Sequence, residues 1–164
     1  MRFKQVFDIL FIENQRGKKV DIKDTLNRLF VELFRDINNI EEKQIKTGEF
    51  ANLTLNDMHV INAIGTGKPK NMSSVAKALN VTMGTLTIAV NGLVKKGFVE
   101  RVRSEEDRRV VLVSLTSKGK KAFARHEKFH ADMIDAIVER LSEEEKKVLS
   151  KSLEDLNGFF ISLK

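Results

Sequence analysis

The 164-residue chain contains no cysteine and a single proline, Pro69. Without cysteine there is no disulfide framework, no thiolate metal site and no cysteine nucleophile, and the absence fits a reducing cytoplasm. With one proline and no low-complexity stretch, nothing marks a linker between two globules, and the length suits one domain with a real core. No apolar run approaches the length needed to span a bilayer. The N-terminal "MRFKQVFDILFIENQRGKK" is broken by Asp8 and lacks the long apolar core and small-residue cleavage site of a signal peptide. It reads as a packing helix in preference to an amphipathic membrane-surface segment. A cytoplasmic protein without a membrane partner is expected.

What is present is charge, unevenly placed. The net charge is +6. Residues 1–67 carry ten basic and ten acidic side chains, residues 68–125 thirteen and four, and residues 126–164 six and nine. The excess of +9 in the central block is expected of a surface that faces a polyanion.

Apolar periodicity sets the elements. Leu26, Leu29, Phe30, Leu33, Ile37 and Ile40 step by three or four, which predicts a long amphipathic helix from Asp21 to about Ile45. Thr54 with Asp57 predicts a capped helix that buries Leu55, Met58, Ile61 and Ile64 and stops at "GTGKP". "MSSVAKAL" predicts a short helix with Ser73 or Ser74 as cap and Met72, Val75, Ala76 and Leu79 inside. After the turn "LNV", Thr82 caps "MGTLTIAVNGLVKK", which buries Leu86, Ala89, Val90 and Leu93 and ends at Gly97. "FVERVR" and "VVLVSLT" predict a two-stranded hairpin. Two long helices follow, the first with Ala122, Phe123, Phe129, Met133 and Ile137 on one side. The second has the capping box Ser142–Glu145 and near-heptad Leu149, Leu153, Leu156, Phe160 and Leu163.

A helix-turn-helix followed by a hairpin predicts a mainly α winged helix-turn-helix with a small β-hairpin wing and long N- and C-terminal dimerisation helices. The expected division is a 1–20 extension, an N-terminal dimerisation helix 21–50, a DNA-binding domain 51–118 and C-terminal dimerisation helices 119–164. In such a fold the second helix of the motif lies in the major groove. The candidates on it are Thr82, Met83, Gly84, Thr85, Thr87, Asn91 and Lys95, with Ser73 on the preceding helix. Hydroxyls donate or accept, threonine and methionine can touch a thymine methyl, and asparagine pairs bidentately with adenine. No arginine lies on this face, so strong guanine readout is not expected. Gly84 suggests close backbone approach.

The hairpin turn "RVRSEEDRRVV" places Arg101, Arg103, Arg108 and Arg109 together, where a guanidinium can enter a narrow minor groove. Asp107 is expected to hold Arg109 or Arg101 while Arg108 reaches outward; Arg108 and Arg109 are interchangeable in this scheme. The bland alternative is an exposed ion-paired turn of little energetic weight.

Residues 76–120, "AKALNVTMGTLTIAVNGLVKKGFVERVRSEEDRRVVLVSLTSKGK", resemble the MarR family of winged helix-turn-helix regulators, with Asp107 to Gly119 as that family's "DRR…LT.KG" signature. The resemblance in element order runs from about Asp21 to the C-terminus and leaves residues 1–20 unexplained. It implies a homodimer, joined through its first and last helices, on a pseudo-palindromic double-stranded DNA operator, and no enzymatic activity or cofactor. More narrowly, "GTLT…NGLVKKGFVERVRSEEDRRVV", "RHEKFH" and "LSEEE" resemble the fatty-acid-biosynthesis repressors of low-GC Gram-positive bacteria. That subgroup implies long-chain acyl groups on acyl carrier protein as corepressor. No residue identifies an effector site from composition or spacing. A protein-interaction module on the same fold would instead bind random and operator duplex equally weakly.

"HEKFH", His126 to His130, matches the zinc-protease spacing of two histidines four apart with a glutamate after the first. The further ligand such a protease needs is missing: Ala136 stands six residues after the second histidine, and Met133 where the intervening glycine would be. Glu154 is a remote substitute, on a helix already committed to packing. A catalytic site is therefore not expected. The MarR resemblance also admits a zinc-responsive regulator using His59, His126 and His130. The plain reading is that His126 and His130 sit on a half-buried face with their nitrogens hydrogen-bonded.

Overall fold

A computed structural model describes residues 21–104 and 110–163. Asp21 caps the first helix by accepting the Lys23 N–H at 2.9 Å. α1 (Ile22–Arg28) passes through a wide π turn at Leu29–Leu33 into α2 (Phe34–Ile45), with helical backbone at both junctions. The expected long helix is thus continuous but accommodates one extra residue in its middle, which apolar spacing did not announce. A 3-10 turn, Gly48–Phe50, leads to α3 (Leu55–Ile64).

The capping box at Thr54 is complete. Asp57 N–H donates to Thr54 Oγ1 at 3.1 Å and Thr54 N–H to Asp57 Oδ2 at 2.9 Å. β1 (Lys70–Asn71) precedes α4 (Met72–Leu79), whose cap is Asn71 and neither serine. Asn71 Oδ1 accepts from Ser74 N–H at 2.7 Å and from Ser73 Oγ–H at 2.9 Å. Asn80, at φ 53°, makes the left-handed turn that ends α4. α5 (Met83–Lys95) begins at Thr82, which accepts the Thr85 N–H as expected, and ends before Gly97 at φ 78°.

β2 (Val99–Arg103) and β3 (Val111–Leu115) pair antiparallel, Val99 opposite Leu115 and Arg103 opposite Val111. The sheet has three strands and not two, in the order β1-β3-β2, because Lys70 and Asn71 pair with Val113 and Leu112. Two residues held by backbone hydrogen bonds leave no periodicity to read. α6 (Ser117–Val138) and α7 (Glu143–Ser162) complete the chain.

The described residues form two compact units that divide within α6, one ending at Glu127 and one beginning at Lys128. In the first, the core gathers α3, α4, α5 and the sheet around Met58, Ile61, Ile64, Val75, Leu86, Val90, Leu93, Phe98, Val99 and Val113. Leu53 and Val60, outside the predicted stripes, are buried with them. α2 contributes only its end, Glu41 and Ile45. Two neighbours on α6 hold that end. Arg125 donates to Gln44 O at 2.8 Å and to the carbonyl and hydroxyl of Thr47, satisfying carbonyls a helix terminus leaves open. His126 Nε2 lies 3.1 Å from Glu41 Oε1.

Phe98 turns the chain from α5 into the sheet, and α6 starts against it. Thr116 N–H donates to Phe98 O at 3.1 Å, and Thr116 Oγ1 in turn accepts the Gly119 N–H at 3.1 Å. A β-carbon on Gly119 would lie 2.1 Å from Phe98 O, so only glycine fits. In the second unit α7 opens with the full Ser142–Glu145 capping box. The Ser142 hydrogen bonds, from backbone first and side chain second, hold the Glu145 carboxyl below its ordinary range. None of the α7 residues is buried within the chain, and Val148, Leu153, Phe159, Ile161 and Leu163 are exposed. Among the described residues no helix is long and apolar enough to cross a membrane.

Candidate nucleic-acid interface

α5 divides cleanly by face. Leu86, Val90 and Leu93 are buried at its back. Thr82, Met83, Gly84, Thr85, Thr87, Asn91 and Lys95, all the candidates on this helix, are exposed, as is Ser73 on α4. The structure thus leaves all of these candidates exposed to solvent. Exposure alone does not make a side chain available, and the hydrogen bonds sort them.

Thr82 and Thr85 hydroxyls bond each other at 2.9 Å, and Thr87 Oγ–H donates to Met83 O at 2.7 Å. The Thr87 proton is therefore taken by its own helix, leaving a methyl and oxygen lone pairs outward. Ser73 likewise donates to Asn71. Gly84 has nothing but the Thr82 hydroxyl near its missing β-carbon, at 3.8 Å, so its outer side is open to a close backbone approach.

Asn91 is tied to the wing. Arg101 Nη2 on β2 donates to Asn91 Oδ1 at 2.6 Å. Arg101 is therefore bonded to α5, and the asparagine expected to pair bidentately has its amide oxygen partly in use. Arg103 is exposed one pleat further along β2. Asp107, Arg108 and Arg109 lie outside the described residues.

Two ionic contacts fix the carboxyl end of α5. Lys96 Nζ donates to Asp57 Oδ2 at 2.6 Å, with Asp57 only 9% exposed, so one carboxylate both caps α3 and anchors α5. Lys118 Nζ sits 4.2 Å from the Phe98 ring centre and 3.3 Å from Lys96 O, where a cation complements a helix C-terminus. These contacts join residues 39 and 22 positions apart and left no local signal.

One exposed residue of this face escapes the sequence reading: Ile88. It is 75% exposed, more than any other large apolar side chain among the described residues. An isoleucine in an apolar-rich helix reads as core, yet its position between Thr87 and Asn91 sets it on the outer stripe.

His59 is exposed on α3, and among the described residues it joins no cluster of three metal-ligating side chains. The structure therefore does not assemble the set His59, His126 and His130. His126 is buried, more deeply than the half-buried face expected for it, with its imidazole against Glu41. His130, further along α6, packs its ring edge-on to Phe129 at 5.4 Å.

Residues 43–126 match the family model described as transcriptional regulator SarA/Rot. Among solved structures, the chain is similar to Streptococcus pneumoniae FabT in complex with DNA, 39% identical, covering 87% of this chain and 99% of that one at a TM-score of 0.81. It is also similar in fold to a MarR-family transcription regulator, 17% identical, covering 86% and 93% at a TM-score of 0.72. Among curated relatives, it is 41% identical over 87 residues to the HTH-type transcriptional repressor YetL of Bacillus subtilis (strain 168), 51% of this chain and 50% of that protein. The match thus spans about half the length of that repressor, and 66% of the B. subtilis regulator YpoP.

Proposed function

Since the chain belongs to the SarA/Rot family of winged-helix transcriptional regulators, we propose that it is a homodimeric, sequence-specific DNA-binding repressor. In each protomer α5 lies in a major groove and the wing, with Arg103 and Arg108, in the flanking minor groove. The observation that carries this reading is the face of α5. Its exposed stripe from Gly84 to Lys95 lies over a fully packed back, and both ends are pinned, by Thr82 and by the Lys96–Asp57 pair. A rigid, small-side-chained helix end is what base-edge contact requires.

The second copy would cover apolar surface that the single chain leaves open. Ile22, Val31 and Phe34 on the long first helix and Val148, Leu153, Phe159 and Ile161 on α7 are exposed in the single chain. Faces of this kind are covered in a symmetric dimer. The likeness to DNA-bound FabT, together with the resemblance over residues 84–111, supports fatty-acid biosynthesis genes as the target and long-chain acyl-acyl carrier protein as corepressor.

The test is selection of duplexes from a random pool by the full chain, followed by affinity titration with and without acyl carrier protein carrying a long chain. The expected result is a two-fold-related consensus, half-sites about 34 Å apart, whose affinity rises with the loaded carrier. Equal affinity for selected and random duplex would overturn the DNA reading. An unchanged affinity with the carrier would overturn the corepressor alone.

A further inference from the structure

A guanidinium has donors and no acceptor. The Asn91 atom 2.6 Å from Arg101 Nη2 is therefore the amide oxygen, which fixes the orientation of the whole side chain. The NH2 group of the exposed Asn91, a donor only, takes no part in that bond. Adenine readout by asparagine needs both halves of the amide, the oxygen to accept from N6 and the nitrogen to donate to N7. Arg101 occupies one of the two lone pairs of that oxygen with a charged donor, which disfavours the paired geometry and leaves the NH2 as the uncommitted half. That NH2 recognises acceptors, of which the major groove offers thymine O4, adenine N7 and guanine O6 and N7.

Ile88 decides between them. It lies three residues before Asn91, so the two side chains are neighbours on the same helix face. A lone exposed apolar residue needs no explanation on an ordinary surface. Here it stands beside the amide donor and after threonines whose hydroxyls are already bonded internally. An apolar group next to a donor is the complement of one base edge only. Thymine carries a C5-methyl beside the O4 acceptor, whereas guanine and adenine offer acceptors with no methyl, and cytosine presents a donor.

We propose that Ile88 and Asn91 together read one thymine in each half-site, Ile88 against the methyl and Asn91 donating to O4. Arg101 acts as the positioning residue that makes Asn91 a donor. This rests on the DNA-binding reading above. Arg101 is itself held in register by the sheet, opposite Val113 and between the Val99–Leu115 and Arg103–Val111 pairs. The specificity of α5 is thus set by a strand outside it.

The experiment uses the full chain and duplexes selected by it from a random pool. Each thymine of the consensus is replaced in turn by uracil, which removes only the methyl, and by 5-methylcytosine opposite guanine, which keeps the methyl and turns the O4 acceptor into a donor. At one thymine per half-site, uracil should weaken binding of the unmodified chain about fourfold, the transfer value of one buried methyl. Ile88→Ala should abolish that response while leaving the others intact. Asn91→Ala should abolish the response to 5-methylcytosine at the same thymine. Selection repeated with Arg101→Met should admit adenine there, because the freed amide oxygen can accept. Ile88→Ala, being exposed, should melt with the unmodified chain.

A consensus in which no thymine responds to loss of its methyl overturns the inference, as does an Ile88→Ala chain that keeps the full uracil penalty. Absence of any consensus would instead remove the DNA reading on which the inference rests.

Discussion

Replacing Gly119 by alanine adds one methyl group at the start of α6, and the structure says where it goes. The new β-carbon would stand 2.1 Å from Phe98 O, 3.1 Å from Phe98 C and 3.2 Å from the Leu115 β-carbon. A carbon–oxygen contact is comfortable near ~3.3 Å, so backbone must separate by about 1.2 Å. That movement breaks the 3.1 Å bond from Thr116 N–H to Phe98 O, and it strains the 2.7 Å bond from the Thr116 hydroxyl to Gly97 O. Forcing a methyl into a packed site costs about 1–3 kcal/mol, and an orphaned buried carbonyl about 1–3 kcal/mol more. Better helix propensity returns at most about 1 kcal/mol. The expected net loss is about 1–5 kcal/mol, a fall in melting temperature of roughly 2–20 °C at this chain length. Gly92→Ala is the control: it lies within α5 with nothing within 4 Å of the added carbon, and should gain about 0.5–1 kcal/mol. Both are read by circular dichroism melting at one fixed protomer concentration, since association shifts the midpoint. If Gly119→Ala melted within about 1 °C of the unmodified chain, the close packing of α6 on Phe98 would be wrong.

Asp57→Asn should cost about 1–2 kcal/mol by leaving Lys96 without its anion while preserving the cap on Thr54, and Asp57→Ala about 1 kcal/mol more by losing the cap as well; equal urea midpoints for the two would refute the double role. Lys95→Gln should flatten the slope of log K against log salt by roughly 0.9 per protomer, whereas Lys96→Gln, whose cation faces Asp57, should leave it unchanged; identical slopes for the two would contradict the division of the pair. Because the folded Glu145 carboxyl is held below its unfolded value, its contribution is present above the ordinary glutamate range and lost as pH falls through the depressed folded value. Amide protection factors in the first turn of α7, taken against the intrinsic rate at each pH, should therefore fall in acid, and Glu145→Gln, which keeps an acceptor without a titrating charge, should show no such step.

The elements most legible in the sequence are those whose ends are marked by local chemistry. Thr54 with Asp57, Thr82 with Thr85, Ser142 with Glu145 and Gly97 all act within four residues, and each stands where the pattern put it. Legibility fails with sequence distance. Arg101 meets Asn91 ten residues away, Lys96 meets Asp57 across 39, and Arg125 meets the end of α2 across about 80. Each is a single side chain finding a partner, with no repeat to betray it. The cap of α4 lies upstream of both serines: Asn71, Ser73 and Ser74 are all competent caps, and Asn71, which is also paired in β1, is the one used. Ile88 is hidden for a different reason: its hydrophobicity signals interior while its helical phase points outward. The tip of the wing, with Asp107, Arg108 and Arg109, lies outside the described residues and stays a sequence expectation.

The wide turn at Leu29–Leu33 bears on how length changes would be tolerated in this helix. An ordinary turn there would need one residue fewer, so a single deletion inside it is absorbed as regular α-helix without breaking the rod. Ile22 and Leu26 would then keep nearly the same bearing relative to Phe34 and Ile37. A deletion outside the turn, in α1 or α2, meets no such slack. There the upstream portion would swing by about 100° and advance by about 1.5 Å against the downstream one. The turn works as a slip joint: a chain shortened within it keeps one continuous apolar stripe, whereas one shortened beside it remains helical throughout with the stripe broken.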